Sequence, residues 1–415
     1  MRRFFLVIIF FSLFFTLDAQ ETITVMQYNL LQYGNAYGSC NESTNNTQHK
    51  DECIRTILDE VRPDIFTVCE FGRGQQLQTD FLKHNLNVGC DYWRSDNIIN
   101  YANSTLINHL FYDSRKMGLK RHVALRTSPR DSDVYELYMK TPSLVAGDTI
   151  KLVCIVTHPK AGQGYEVDRL TTMRTVMNHI RQHYANENVL IMGDFNMYGA
   201  SESGYQLLTR TYDDNECLFI DPLSRLGGVG EWNNNTKYAA FHTQSTHGPS
   251  AACFSNGGMD DRFDFILFSD EIFMGENLIR YVDRSYYAVG NDGQHFNQSI
   301  NQGGNSAVSA TVAQALFDAS DHLPVTLKLS VYAQLGVDEA VAVESFRVYP
   351  NPTGGLLNVD VVGTAAYQIT NVMGQVVKVG TVGDTHQVDV GNLASGLYFI
   401  HVNGGVAKFV KETRY

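Results

Sequence analysis

Short apolar runs, each closed by a polar or turn-forming residue, recur along the chain from Thr22 to Val331. "TITVMQYNLL" (Thr22–Leu31), "DIFTVCE" (Asp64–Glu70), "LINHLFYD" (Leu106–Asp113) and "TIKLVCIVTH" (Thr149–His158) read as strands. So do "NVLIMGD" (Asn188–Asp194), "RFDFILFS" (Arg262–Ser269) and "LPVTLKLSV" (Leu323–Val331). "DECIRTILDEVRPD" reads as a helix stopped at Pro63, and "EVDRLTTMRTVMNHIRQHY" (Glu166–Tyr184) has helical spacing. Strands and helices alternate, which predicts an α/β or α+β domain over residues 20–332.

From Glu344 to Tyr415 the texture changes to short alternating runs split by Gly, Asn and Pro turns, with no helical period. That pattern predicts a small all-β sandwich of about seven strands. Residues 333–343 read as the linker, while Asn233–Asn235 and "NQSINQGGNS" read as surface loops of the first domain.

At the other end, Arg2 and Arg3 precede an apolar run, Phe4–Phe15, that is too short to span a bilayer comfortably. Residues 1–19 therefore read as a secretory signal peptide, cut near Ala19. Composition adds two constraints. The 415 residues suit two or three domains, and a net charge of -12 argues against binding nucleic acid or anionic membrane through overall charge. It leaves room for a local phosphate site, where a metal ion supplies the positive charge. Seven cysteines in an oxidising compartment leave at least one unpaired. Cys69 and Cys154, inside apolar runs, are expected as buried free thiols. Cys40–Cys53 and Cys217–Cys253 are the expected bridges.

The candidate chemistry sits at strand ends. Asn29 follows "TVMQY", Glu70 ends "DIFTVCE", His158 ends "LVCIVTH", and Asp194 and Asn196 lie in "LIMGDFNMYG". Asp321 and His322 form "SDHLPV" before the last strand of the domain. Each alone has an ordinary reading as a cap, a turn or a surface charge. Asp264 is harder to set aside: alternation puts it on the face opposite Phe263 and Phe265, where a buried carboxylate needs a partner. Hydrolysis of a phosphodiester needs carboxylates for a hard cation, a base for water and donors for phosphate oxygens. The set offers all three.

In this order, "MQYNLL", "PDIFTVCEF", "NHLFYDSRKM", "CIVTHPKAG", "MGDFN", "DDRFDFILFS" and "SDHLPV" resemble the endonuclease/exonuclease/phosphatase superfamily over residues 22–331. The resemblance implies a four-layer α/β sandwich of two packed, mostly antiparallel sheets flanked by helices. It implies Glu70, Asn29 and Asp321 at a Mg²⁺ site, with Mn²⁺ or Ca²⁺ as alternatives. His322 matches the catalytic histidine and Asp264 its orienting partner. Asp194 matches the acid that orients water or bonds the phosphate, and Asn196 and His158 match phosphate contacts. Leu31 stands where the apurinic endonucleases carry an acid, which disfavours that branch. Lys160, Asp261, Arg262 and the "FHTQST" loop with His242 are further positions of interest.

"VYPNPTGGLLNVDV", "ITNVMGQVV" and "LASGLYFIHVNGG…KFVK" resemble the C-terminal sorting domain of the type IX secretion system of Bacteroidota. That implies an address read by the secretion machinery through residues 344–415. The expectation is a secreted or surface-held monomer acting on a phosphodiester, with nucleic acid the first substrate class. A sphingomyelinase-like phospholipase C is the alternative, with Arg280–Gly290 as its possible docking hairpin. A non-catalytic surface binding protein is a third reading.

Overall fold

A computed structural model describes residues 20–140, 149–210, 218–249, 252–332, 346–361, 363–372, 374–383, 386–402 and 405–412. The expected leader at residues 1–19, the expected linker at residues 333–343 and Cys217 lie outside the described residues.

Two sheets stack face to face. In the first, the parallel strands Gln20–Tyr33 and Ile65–Gly72 lie at the centre. Val325–Tyr332 and Leu106–Asp113 flank them, each antiparallel to its neighbour. The second sheet repeats the plan, with Lys151–Val156 and Val189–Asp194 as its parallel central pair. Ser132–Met139 and Asp264–Ser269 flank that pair, again antiparallel.

Both faces of the central strands are covered, which is why their apolar runs are nearly unbroken. Leu152, Cys154, Val156, Leu190 and Met192 point to the opposite sheet. Val153, Ile155, Val189 and Ile191 point the other way, against Met173, Val176, Met177 and Ile180 of the helix Glu166–His183. The helices Thr47–Val61 and Ala310–Ala319 cover the outer face of the first sheet through Ile54, Ile57, Val312 and Leu316. Helix, sheet, sheet, helix gives the expected four layers.

The strand topology brings the site residues to one edge of the sandwich. The parallel pairs end there, and the antiparallel strands Asp264–Ser269 and Val325–Tyr332 begin there. Asp264 is thus the first residue of its strand rather than an interruption within it, and it pairs directly with Asp194.

The cysteine pairing differs from expectation. Cys40 is bonded to Cys253, across 213 positions, so neither Cys40–Cys53 nor Cys217–Cys253 forms. Cys69 and Cys154 are free and buried, as expected, and Cys53 and Cys90 are free as well.

The C-terminal strands form a three-stranded and a four-stranded sheet that enclose Leu357, Val359, Val388, Ile369, Ile400 and Phe409. This small sandwich rests on the larger one. Leu397 and Phe399 pack with Leu218, Phe273 and Met274, and Lys408 Nζ lies 2.9 Å from Asp270 Oδ2.

A candidate active site at the strand ends

Tight backbone turns present the site residues. The ladder between the first two strands slips after Asn29, and the next ladder slips between Val68 and Phe71. Leu31, Gln32 and Glu70 take left-handed φ values of 43°, 53° and 56° at these irregularities. Non-glycine residues adopt such values rarely, and bulges of this kind re-aim side chains at functional edges. Gln32 N–H donates to Glu70 Oε2 at 3.1 Å, so the two turns hold each other.

"LIMGDFNMYG" uses the same device. Gly193 has φ 146°, and a Cβ there would lie 1.8 Å from Thr157 O. Only glycine lets the strand run so close to the segment that carries His158. Asn196 is left-handed at φ 52°, and its backbone N–H donates to Asp194 Oδ1 at 3.0 Å.

Asp194 Oδ2 is the hub. Asn29 Nδ2 donates to it at 2.9 Å, His158 Nε2 lies 3.3 Å away and His322 Nε2 3.6 Å away. His322 Nδ1 is 2.7 Å from Asp264 Oδ2. Asn29, His158, Asp194, Asn196, Asp264, Asp321 and His322 are all buried, and Glu70 is half-buried. The expected site residues therefore come together, with Glu70 and Asp321 at the carboxylate side of the cluster.

The electrostatics separate the two histidines. Burial, with Arg130 and His322 adding, drives His158 well below its ordinary value. A neutral ring then donates from Nε2 to Asp194. For His322, burial also disfavours charge, but Asp264 and Asp194 outweigh it and hold the ring well above its ordinary value. Gln244 Nε2 lies 2.6 Å from His322 Nε2. A cationic ring needs an acceptor there, which the amide supplies by turning its oxygen inward. Asp194 is itself raised, first by burial and then by Asp264 and Glu70 against the opposing pull of His322. Two neighbouring titratable groups with different tasks are thereby set apart.

The donor set fits a divalent cation. Asp194, Asp264 and Asp321 act on His322, Glu70 acts on Asp194, and Asp321 Oδ1 is buried with no hydrogen-bond partner among the described residues. Asp321 Oδ2 accepts from Ser255 N at 2.9 Å, which fixes the group and leaves the other oxygen open. Hard oxygen ligands of this kind suit Mg²⁺.

Two contributors were not legible as site residues. Gln244 comes from the "FHTQST" loop, where attention falls on His242. His242 instead bonds Met259 O and Trp232 O in the interior. Lys50, on the helix Thr47–Val61, is buried and donates from Nζ to Leu30 O at 2.7 Å and Leu31 O at 2.5 Å. It pins the left-handed turn beside Asn29. Burial pushes it down to about 7, against the opposing charges of Asp321 and Glu70. Arg262 is structural: its guanidinium pairs with Asp221 at 2.8 and 2.9 Å and covers the Phe265 ring. Lys160 Nζ sits 4.8 Å from the Tyr165 ring centroid.

Residues 26–322 match the endonuclease/exonuclease/phosphatase family, and residues 347–413 match the secretion system C-terminal sorting domain. No curated protein matches the chain. Among solved structures, D. rerio TDP2 humanized by 14 mutations is similar at 12% identity and a TM-score of 0.48, over 74% of this chain and 98% of that one. The human Nocturnin catalytic domain is similar at 14% identity and a TM-score of 0.47, over 76% and 96%. An endonuclease/exonuclease/phosphatase family protein from Bacteroides thetaiotaomicron is similar at 14% identity and a TM-score of 0.45, over 75% and 98%.

Proposed function

The chain belongs to the endonuclease/exonuclease/phosphatase family, and from that premise we propose that this phosphoester hydrolase is a Mg²⁺-dependent phosphodiesterase whose substrate is nucleic acid. Its sorting domain marks it for export, to the cell surface or beyond. An exported nuclease would release phosphate or nucleotides from environmental DNA or RNA. The removable leader at residues 1–19 belongs to the same proposal.

The observation that carries the reading is the shared contact of Asn29, His158 and His322 with Asp194, backed by the 2.7 Å His322–Asp264 pair. Glu70, Asn29 and Asp321 would hold Mg²⁺, which would supply positive charge against the phosphate as negative charge builds on it. Asp194, raised and next to two imidazoles, takes the proton from the attacking water. His322, kept cationic by Asp264, exchanges Gln244 for one phosphoryl oxygen as acceptor at Nε2, and the Asn196 amide donates to the other. Neutral His158 holds Asp194 in place, while the ester P–O bond breaks and the departing oxygen takes a proton from solvent. Arg280–Gly290 does not project as a docking hairpin. Ile279–Tyr281 and Tyr287–Ala288 both pair with the strand Val325–Tyr332, and Tyr286 donates to Asp264 O at 3.2 Å. That favours nucleic acid over a membrane lipid.

A substrate screen tests the choice. Plasmid DNA, RNA and sphingomyelin vesicles are each incubated with the chain in Mg²⁺ and in EDTA. Metal-dependent cleavage of DNA or RNA is expected; cleavage of sphingomyelin alone would overturn the substrate class.

A further inference from the structure

On the outer face of the first sheet, three metal-ligating side chains from two helices meet at a point the phosphodiester chemistry does not use. His49 and Cys53 lie four apart on the helix Thr47–Val61, one above the other on the same face. Asp318 comes from the last turn of the helix Ala310–Ala319. His49 Nε2 is 3.8 Å from Cys53 Sγ and 3.5 Å from Asp318 Oδ2, and the three ligand atoms all lie within 4.8 Å of one another.

We infer that His49, Cys53 and Asp318 bind a single transition-metal ion of the Zn²⁺ class. With Zn–S near 2.3 Å and Zn–N and Zn–O near 2.1 Å, tetrahedral ligation places nitrogen about 3.6 Å from sulfur and about 3.4 Å from oxygen. The two His49 separations are already within a few tenths of those values. The Cys53–Asp318 edge closes by rotation of the Asp318 side chain, which is partly exposed. A thiolate, an imidazole and a carboxylate select a borderline ion such as Zn²⁺ over Mg²⁺. Three protein ligands leave the fourth position to water, which reaches it because His49 is half exposed.

The surroundings support the assignment. Glu52 Oε2 lies 3.9 Å from His49 Nδ1, the ring nitrogen away from the ion, where a carboxylate favours the tautomer with its lone pair at Nε2. On binding, the ion takes the Cys53 thiolate and its proton passes to solvent. The site also bridges two elements that reach the catalytic edge. Lys50 follows His49, and the helix carrying Asp318 leads directly into Asp321 and His322. Occupancy would clamp both from behind.

The test uses the chain lacking residues 1–19, with the Cys40–Cys253 bridge intact, stripped with EDTA, and then saturated with Mg²⁺ to fill the oxygen site. Co²⁺ is titrated in and thiolate-to-metal charge-transfer absorption is followed. One equivalent is expected, displaced by Zn²⁺, and retained in Cys69→Ala and Cys154→Ala. Cys53→Ser should abolish the band. His49→Gln, at a half-exposed position where folding is not at stake, should weaken Co²⁺ binding at least tenfold. Absence of the band in the wild type, its persistence in Cys53→Ser, or unchanged affinity in His49→Gln would overturn the site. None of these readouts depends on phosphodiester turnover.

Discussion

At the scale of single residues, the account turns on charge held in a buried place. Asp264 is fully buried, and His322 is the hydrogen-bond partner of its carboxylate among the described residues. His322→Ala should remove turnover and, because it strands the buried Asp264 carboxylate, should also lower the melting temperature. Asp264→Asn keeps the shape but not the charge and should lower kcat by about 10²- to 10⁴-fold, read by initial rates beside an unchanged circular dichroism spectrum. Gly193→Ala is a different experiment, because the added methyl meets a backbone oxygen at 1.8 Å. It should destabilise the domain by about 2–3 kcal/mol, measured by urea unfolding. These residues were legible because they stand in short motifs beside strands. Gln244 and the Cys40–Cys253 bridge were not, because each acts on a partner that only the fold brings near.

At the scale of elements, apolar runs marked the central strands well, since both of their faces are covered. They said less about the edges and the short helices. Gln75–Phe81 and Ser203–Thr209 have no side-chain cap that separates them from their loops. The role of the helix Thr47–Val61 was also hidden. Its pattern predicts packing, whereas Lys50 uses it as a platform to hold Leu30 and Leu31. Lys50→Met retains the bulk and removes both hydrogen bonds. Freed from its anchor, the Leu31–Gln32 turn holds Glu70 less firmly. The expected result is weaker activation by Mg²⁺, about tenfold in the half-saturating concentration, with substrate KM at saturating Mg²⁺ little changed. Equal Mg²⁺ activation curves would show that the turn is rigid without Lys50.

At the scale of the whole molecule, the sorting domain rests against the hydrolase through an apolar cluster and one cation. Lys408 faces Asp270 and Glu271, both buried. Burial first, then Asp270, pushes Glu271 up to about 7 against the pull of Lys408. A carboxyl raised on folding stabilises the folded state at low pH, and that contribution is lost as pH rises from about 4.5 toward 7. Lys408→Ala removes the opposing charge, so the loss should extend further upward in pH. The melting temperature of Lys408→Ala should fall below wild type by a margin that widens as pH rises through and above about 7, where Glu271 ionises in the wild type. A margin constant with pH would mean that Lys408 acts by packing alone. Both domain types were legible from texture; their mutual contact was not, since Lys408 and Asp270 lie 138 positions apart.

The central claim is that the residues gathered around Asp194 form a metal-dependent phosphodiesterase centre. The most direct measurement is hydrolysis of bis(p-nitrophenyl) phosphate by the wild type and by His322→Ala, each with Mg²⁺ and with EDTA. Turnover by the wild type in Mg²⁺ alone, and by His322→Ala in neither condition, is the predicted result. Equal rates with and without EDTA, or an undiminished rate in His322→Ala, would contradict it.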